Sequence, residues 1–382
     1  MSTRRNILKL IGGGVVLAAA AGGAWYVANG PSEAARAAWR EAGTPNEKRR
    51  RFLSYALLAP NPHNRQPWLV KLDGDDDLIL YCDLDRRLPE TDPFDRQITI
   101  GCGAFLELLS IAAASEGYLA EITPFPEGEP TPRLDQRPVA RVRLIANGAQ
   151  RDPAFDQILK RLTNRNPYEA RDVSADLRKS LEVAGSAPGL TLRTTGEGDL
   201  AAQLRDLTWR AHEKEMLTHH TLKESVDLMR IGNAEIEKYR DGISLDGQMM
   251  EFAKATGMVT REALLDTKSS AFQMGMDQYR EMAGSARAFA WLNGPEGRMA
   301  EIAAGRAYAR FALKAAELGL AIHPWSQSLQ EFPEMRPLYD EVHGLIGAGQ
   351  RIHMLVRVGY AAPDVVAPRR GLGVLIKETA QA

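Results

Sequence analysis

The chain repeats itself, and this limits the folds open to it more than any other feature does. The stretch "GAFLELLSIAAASEGYLAEITPFPEG", beginning at Gly103, is echoed by "GRAYARFALKAAELGLAIHPWSQS", beginning at Gly305, with Gly117 over Gly319 and Pro124 over Pro324. Upstream, "RRRFLSYALLAPNPHNRQPWLVKL" has a weaker echo in "ADLRKSLEVAGSAPGLTLRTT", which sets Ala59-Pro60 over Ala187-Pro188. Downstream, "RPVARVRLIANG" is matched by "QRIHMLVRVGYA". Chance similarity of amphipathic segments explains any one of these echoes. Three in the same order point to a duplicated α+β unit. The halves divide at 45–150 and 151–382.

Within the halves, helix and strand signals alternate. "NEKRRRFLSYALLA" spaces Phe52, Leu53, Ala56 and Leu57 as a helix and stops at Pro60. "WLVKLDGDDDLILYCDL" reads as a strand, an acidic turn and a second strand. "IGCGAFLELLSIAAASEGY" is apolar nearly all round, which predicts a buried helix. "RPVARVRLIA" alternates as a half-buried strand, and the Pro-rich residues 126–138 predict a surface loop. From about Trp209 to Gly294 the chain is rich in Met, Glu, Lys and Arg and has few strand signals. That stretch is expected to be a helical, lid-like insertion in the second half.

The N-terminus carries a different kind of information. "STRRNILK" precedes an apolar, Gly- and Ala-rich run from Ile7 to Ala28. Paired Arg4 and Arg5 before such a run resemble a twin-arginine export signal. The run at 7–28 is also just long enough to anchor the chain in a bilayer. Ala24, with Gly22 behind it, is the one passable cleavage site near the end of the run. The twin-arginine translocation machinery is the expected partner, and the expected location is the periplasm or the outer face of the inner membrane. Residues 1–44 are accordingly set aside as signal or anchor and linker.

A net charge of −1 over 382 residues lacks the basic balance expected of a nucleic-acid binder. Cys82 and Cys102 are the only cysteines, too few for a disulfide scaffold or a Cys-rich metal site. "HEKEMLTHH", with His212, His219 and His220, lacks the HExxH spacing of a zinc helix. "GCG" at 101–103 is too short for a dinucleotide loop, and no catalytic triad is visible.

The chemically suggestive stretch is "PNPHNRQPW" at 60–68. Pro60 and Pro62 stiffen it and remove donors, while Asn61 and Asn64 offer amide edges. A plain helix stop and strand start is the alternative reading. This loop resembles the Ala-Pro-Ser-x-x-Asn-x-Gln-Pro-Trp loop of the nitroreductase superfamily of FMN proteins. Together with "RLTNRNPY", "LGLAIHPWSQS" and "RVGYAAPDVVAPRRGL", residues 47–382 are similar to its Acg-type branch. The resemblance implies a nitroreductase-like fold in which two subunits of an intertwined dimer are fused into one chain.

It also implies a site. Arg161, Thr163 and Arg165 in "RLTNR" resemble the Arg-x-Ser-x-Arg phosphate motif, with guanidinium forks suited to a phosphate. Arg369 and Arg370 resemble the basic residues that close the same phosphate site. Asn61 and Asn64 would meet the flavin edge, with Asn61 standing where the family has Ser, and Gln66 and Trp68 would brace the loop. His63 is either an edge contact or an exposed loop histidine. Pro324 would open the turn at the flavin, and Trp325, Ser326 and Gln327 would aim backbone N–H groups at flavin N5, where negative charge builds on reduction. The first half keeps the ring loop but not the phosphate motif, and the second keeps the phosphate motif but reduces the loop to "APGLTL". One complete FMN site between the halves is therefore expected, and one ruined site. The implied activity is transfer of hydride or electrons from NAD(P)H to a small organic acceptor of nitroaromatic or quinone type. The alternative is a lidded protein that sequesters flavin.

Overall fold

Two helices from equivalent places in the repeat cross at the centre of the molecule, and each half wraps one of them. The computed structural model describes residues 30–377; the arginine pair and the apolar run lie outside them. In the first half, α1 (Lys48–Ala56) starts where the Glu47 carboxylate accepts from the N–H groups of Arg49 and Arg50. Strands β1 (Trp68–Asp73) and β2 (Asp77–Cys82) form a hairpin about the acidic turn. Asp73 and Asp77 face each other there, and Arg141 and Arg143 from the neighbouring strand offset their charge. Then follow α2 (Arg96–Ala114), β3 (Leu119–Pro124) and β4 (Ala140–Ile145), whose residues alternate between buried and exposed.

The second half begins with α3 (Ala175–Gly185) and β5 (Thr191–Thr195). The insertion comes next, with α4 (Asp199–Leu217), α5 (His219–Leu228), the parallel pair β6 (Met229–Ile231) and β7 (Ile243–Leu245), and α6 (Ser270–Gly284). The unit then resumes with β8 (Ala288–Gly294), α7 (Arg298–Glu317), β9 (Ala321–Pro324) and β10 (Arg351–Gly359). The two main sheets have the orders β1-β2-β4-β3 and β5-β8-β10-β9. Matching β5, β8, β9 and β10 to β1, β2, β3 and β4 makes these one topology, so the expected duplicated α+β unit is present. The insertion enters between the first two strands of the second copy. Its expected extent ran too far: residues 288–294 are β8, buried throughout and paired on both sides. A strand covered on both faces loses the alternation that marks a half-buried one.

The helix crossing has an internal two-fold character. A Cβ on Gly103 of α2 would strike the Ile302 carbonyl of α7, and one on Gly305 of α7 would strike the Ile100 carbonyl of α2. At the helix starts, Arg96 donates to the carbonyls of Leu329 and His353 in the second half, and Arg298 donates to those of Phe94 and Pro132 in the first. Each half is thus pinned by a buried arginine of the other.

Part of the stretch set aside as linker is folded. A 3-10 turn (Ala34–Arg36) runs into a helical turn (Ala37–Arg40), and Trp39 is buried, its indole N–H donating to the Ala367 carbonyl at 2.8 Å. Cys82 and Cys102 are free thiols in the core of the first half.

Candidate functional site

The ring loop comes first because its backbone is unusual. His63, Asn64 and Gln66 have φ of 47°, 49° and 50°, in a left-handed region that only Asn among them tolerates readily. Pro60 and Pro62 limit the alternatives. The Asn61 side-chain oxygen accepts from the Gln66 N–H at 2.7 Å, and its amide donates to the Ala59 carbonyl. Asn61 therefore closes the loop on itself. Gln66 is buried; its amide donates to the Arg240 carbonyl and its oxygen accepts from the Arg370 N–H. It braces the loop, as expected. Beneath the loop is Gly101 of α2, where an added Cβ would lie 3.3 Å from Asn61 Cβ. The glycine of "GCG" serves this close approach rather than a phosphate.

The C-terminal segment locks the loop from the other side. Arg369 is buried, and its five N–H donors are taken by the carbonyls of Leu57, Leu58, Ala59 and Pro368 and by Asn64 Oδ1. It acts as a clamp, with no donor left over for a phosphate. Arg370 turns away, its guanidinium 3.7 Å from Asp83. Of the two arginines expected to close the phosphate site, Arg369 has all its N–H donors engaged and Arg370 points to Asp83. Arg369 contributes charge and shape, and Arg370 lies elsewhere.

Arg161 and Arg165 behave differently from each other. The extended segment that carries them is tied to β9 by the Asn164 N–H, which donates to the Ile322 carbonyl at 3.0 Å. Arg161 is buried; one N–H group reaches the Leu58 carbonyl at 3.1 Å, but its Nε has no partner. Arg165 is exposed, and its guanidinium makes no hydrogen bond among the described residues, although its backbone N–H donates to Asp364. Thr163, between them, is half-buried. The buried Tyr308 hydroxyl also lacks a partner, and burial pushes it up to about 12 against the pull of Arg161 and Arg165. Burial, together with Arg161 and Arg165, holds the Arg369 guanidinium well below its ordinary value. Three guanidiniums are crowded here without a carboxylate among the charges that act on Arg369. Trp39 lies against two of them, its ring 5.9 Å from Arg161 and 5.5 Å from Arg369. No reading of the sequence found Trp39, because it sits next to a segment that resembles a signal.

The third element is the turn after β9. Trp325 is buried, and its N–H is already bonded to the Leu355 carbonyl at 2.8 Å, which removes it from the set of free donors. Pro324 ends the pairing with β10 opposite Val356. Ser326 and Gln327 lead into a 3-10 turn (Gln327–Leu329), where the first N–H groups have no partner within the turn. Gln327 Oε1 is buried and unpartnered.

The insertion covers this ground. Ser225 Oγ lies 3.4 Å from His63 Nε2, and the Gly242 N–H donates to the Asn64 carbonyl at 3.2 Å. Asp241 is buried between Arg65, Arg86 and Arg230 at 3.3, 2.6 and 2.9 Å, joining insertion and first half through one carboxylate. His212 stacks on Tyr279 at 4.1 Å and meets Trp325 edge-on at 6.1 Å. Burial alone brings its pKa down to about 3. His63 is not an exposed loop residue: its side chain is 14% exposed, and burial with the nearby Arg65 and Arg165 brings it down to about 4. His220 diverges to Glu90 and Glu334, away from His212.

The arrangement pairs an anion-attracting corner (Arg161, Arg165, Tyr308) with a stiff amide loop and a turn that has spare N–H groups. Unsatisfied buried donors beside clustered like charges are stable only with a complementary partner, so these residues fit a phosphate attached to a hydrogen-bonding ring. One open groove of about 530 Å³ lies elsewhere, between α3 and the edge strand β5.

The Mycobacterium tuberculosis protein named "Putative NAD(P)H nitroreductase Rv3131" is 25% identical over 343 residues, 86% of this chain and 90% of that one. The similarity thus runs along most of both chains. A second protein of that organism, named "Putative NAD(P)H nitroreductase acg", is 33% identical over 113 residues, 30% of this chain and 33% of that one. The FMN-dependent nitroreductase NfnB of Mycobacterium smegmatis, solved with NADPH, aligns to 59% of this chain and 98% of its own, at 20% identity. Its TM-score is 0.38, too low to bear on the fold. No family profile matches the chain.

Proposed function

We propose that the chain is an FMN-dependent oxidoreductase that takes reducing equivalents from NAD(P)H and passes them to a small organic acceptor of the nitroaromatic or quinone class. One observation carries the reading. The loop of the first half and the basic segment of the second meet: Arg161 reaches the Leu58 carbonyl, and Arg369 reaches Asn64. Each half thus supplies the part that the other lacks. FMN, when bound, supplies the redox chemistry itself. Arg161, Arg165 and Tyr308 would hold the phosphate, Asn64 and its neighbours would border the ring edge, and the Ser326–Gln327 turn would present N–H groups to it.

The closed insertion supports a second reading, in which flavin is held but protected from nicotinamide. Purified protein with no flavin bands in its visible spectrum sinks both readings. Bleaching on anaerobic addition of NADPH supports the reductase, and bleaching by dithionite alone supports sequestration. Arg165→Ala separates binding from folding, because its side chain makes no internal hydrogen bond. FMN content should drop about tenfold, the loss of one charged contact, while the unfolding midpoint stays put; full occupancy rejects the phosphate assignment.

The protein's place in the cell is proposed on sequence grounds alone. Arg4 and Arg5, ahead of the run at 7–28, would direct folded, flavin-loaded protein through the twin-arginine machinery. Its site would then lie in the periplasm or, with the run retained, on the outer face of the inner membrane. Exchanging both arginines for lysine should leave the protein in the cytoplasmic fraction; unchanged fractionation refutes the route.

A further inference from the structure

We propose that Glu215 is the general acid of this site, delivering a proton to an oxygen of the bound quinone or nitro acceptor. The proposal rests on the reading of the site as a flavin-dependent reductase, and it concerns a residue that only the insertion supplies.

Among the described residues, every other buried acid has a strong partner. Asp92 accepts from the N–H groups of Gln97 and Ile98, and Asp95 is paired with Arg133 and Arg87. Glu107 is paired with Arg306 and Arg310, and Asp241 with three arginines. Glu215 is 4% exposed and has no Lys or Arg beside it. The groups that face it come from four elements. The ring loop gives His63, whose Nε2 lies 4.0 Å away; α5 gives the Ser225 hydroxyl and the Glu224 carboxylate; the turn after β9 gives Gln327 and Gln330; and α6 gives Tyr279. On α4 itself, His212 lies one turn back. Glu224 is the one formal charge in that set, and it repels.

A carboxyl in such surroundings keeps its proton. Burial, opposed by Gln330 and then reinforced by Glu224, raises Glu215 to about 7, while burial keeps His63 neutral. The two are therefore an acid and a neutral base at rest rather than an ion pair. The proton sits between the loop and the turn that border the proposed ring edge, where it is sealed from water. Reduction of a quinone to a hydroquinone, or of a nitro group to a nitroso group and water, consumes one hydride equivalent and one proton. The reduced nicotinamide is oxidised and supplies the hydride. The Glu215 O–H bond breaks as an O–H bond forms on the acceptor, and the carboxylate regains its proton from water when the insertion opens. A group with its pKa near the working pH is the effective choice for such a transfer.

The test uses full-length flavoprotein reduced anaerobically and mixed with one of two oxidants. Benzoquinone needs protons, whereas ferricyanide takes a single electron and no proton. Glu215→Gln should slow reoxidation by benzoquinone about 100-fold, leave ferricyanide unaffected, and retain normal FMN content. Glu215→Asp should recover part of the benzoquinone rate. Independently of turnover, the infrared difference between wild type and Glu215→Gln should contain a protonated-carboxyl band at pH 6 that fades as pH rises through about 7, over and above the band of Asp92, which burial also raises to about 7. Equal slowing with both oxidants, unchanged rates with both, or no carboxyl band in the wild-type-minus-variant difference each overturns the proposal. Protein that takes up no FMN overturns the reading beneath it, and a normal infrared titration in that protein identifies the failing step.

Discussion

The loop at 60–67 and its counterpart at 187–190 occupy the same place in the two halves, between the first helix and the first strand. The counterpart is relaxed. Ala187 and Leu190 exchange backbone hydrogen bonds across Pro188-Gly189, and the one left-handed residue is Gly189, with φ of 77°. The first-half loop has three left-handed residues that are not glycine. Residues in sparsely populated conformations cost about 1–3 kcal/mol each and persist only where their surroundings over-determine them. Here the over-determination can be named: Asn61 from within, Gln66 into the insertion, and Arg369 from the C-terminal segment. The difference is the one expected if the first copy is the one that binds.

The comparison breaks most visibly at the clamp. Arg369→Leu leaves the Leu57 carbonyl and the Asn64 side-chain oxygen without their donor and takes one of two donors from the carbonyls of Leu58 and Ala59. A buried acceptor left unsatisfied costs about 1–3 kcal/mol, and denaturant titration should register a loss on the order of 3 kcal/mol. Pro188→Ala, in the relaxed copy, should cost less than about 1 kcal/mol. Equal costs would mean that the clamp does not hold the strained loop.

The insertion sharpens the comparison, because Glu215 faces only the first loop. Its folded pKa, about 7, lies above the unfolded 4.5, so between those values the folded state binds more protons. Wild-type stability therefore falls as pH rises through that window. Glu215→Gln carries no such charge. It should match the wild type near pH 4.5 and exceed it at pH 8 by something on the order of 3 kcal/mol, from a shift of about two to three pKa units. His63 acts in the opposite sense: with its pKa lowered to about 4 it loses protons on folding, so it weakens the fold as pH falls from 6.5. The Glu215→Gln difference should therefore be read against the wild type at each pH, where the His63 contribution cancels.

How much of this could be read in the sequence follows from the range of each signal. The duplicated unit was legible because Gly117 and Gly319 both end central helices with positive φ, and Pro124 and Pro324 both end strands. The bracing role of Gln66 was legible from the stiffness of its loop. The two phosphate-side arginines were not separable: Arg161 and Arg165 alternate in sequence, yet one is buried and the other exposed, since the segment has no regular strand partner. Arg369 was named in the sequence, but its clamping role was illegible because its partner Asn64 lies 305 residues away in the chain; Trp39 was set aside with the segment that resembles a signal. Strand β8 was lost among helices because burial on both faces erased its period. Glu215 had no local signal at all; its isolation from cations exists only in three dimensions.

The smallest expected effects cross the two loops against two readouts. Gly189→Ala places a Cβ at φ of 77° and should cost about 1 kcal/mol of stability. It lies in the copy not proposed to bind FMN, so FMN dissociation should not change. His63→Asn does the reverse. Asn accepts the left-handed conformation, so unfolding at pH 7.5 should move by only a few tenths of a kcal/mol. The variant loses the contact to Ser225 by which the insertion rests on the loop, a weak hydrogen bond whose removal should speed FMN release roughly threefold. Stopped-flow dilution against apoprotein measures that rate, and thermal unfolding measures the stability. If Gly189→Ala changed flavin release while His63→Asn changed only stability, the assignment of binding to the first loop would be reversed.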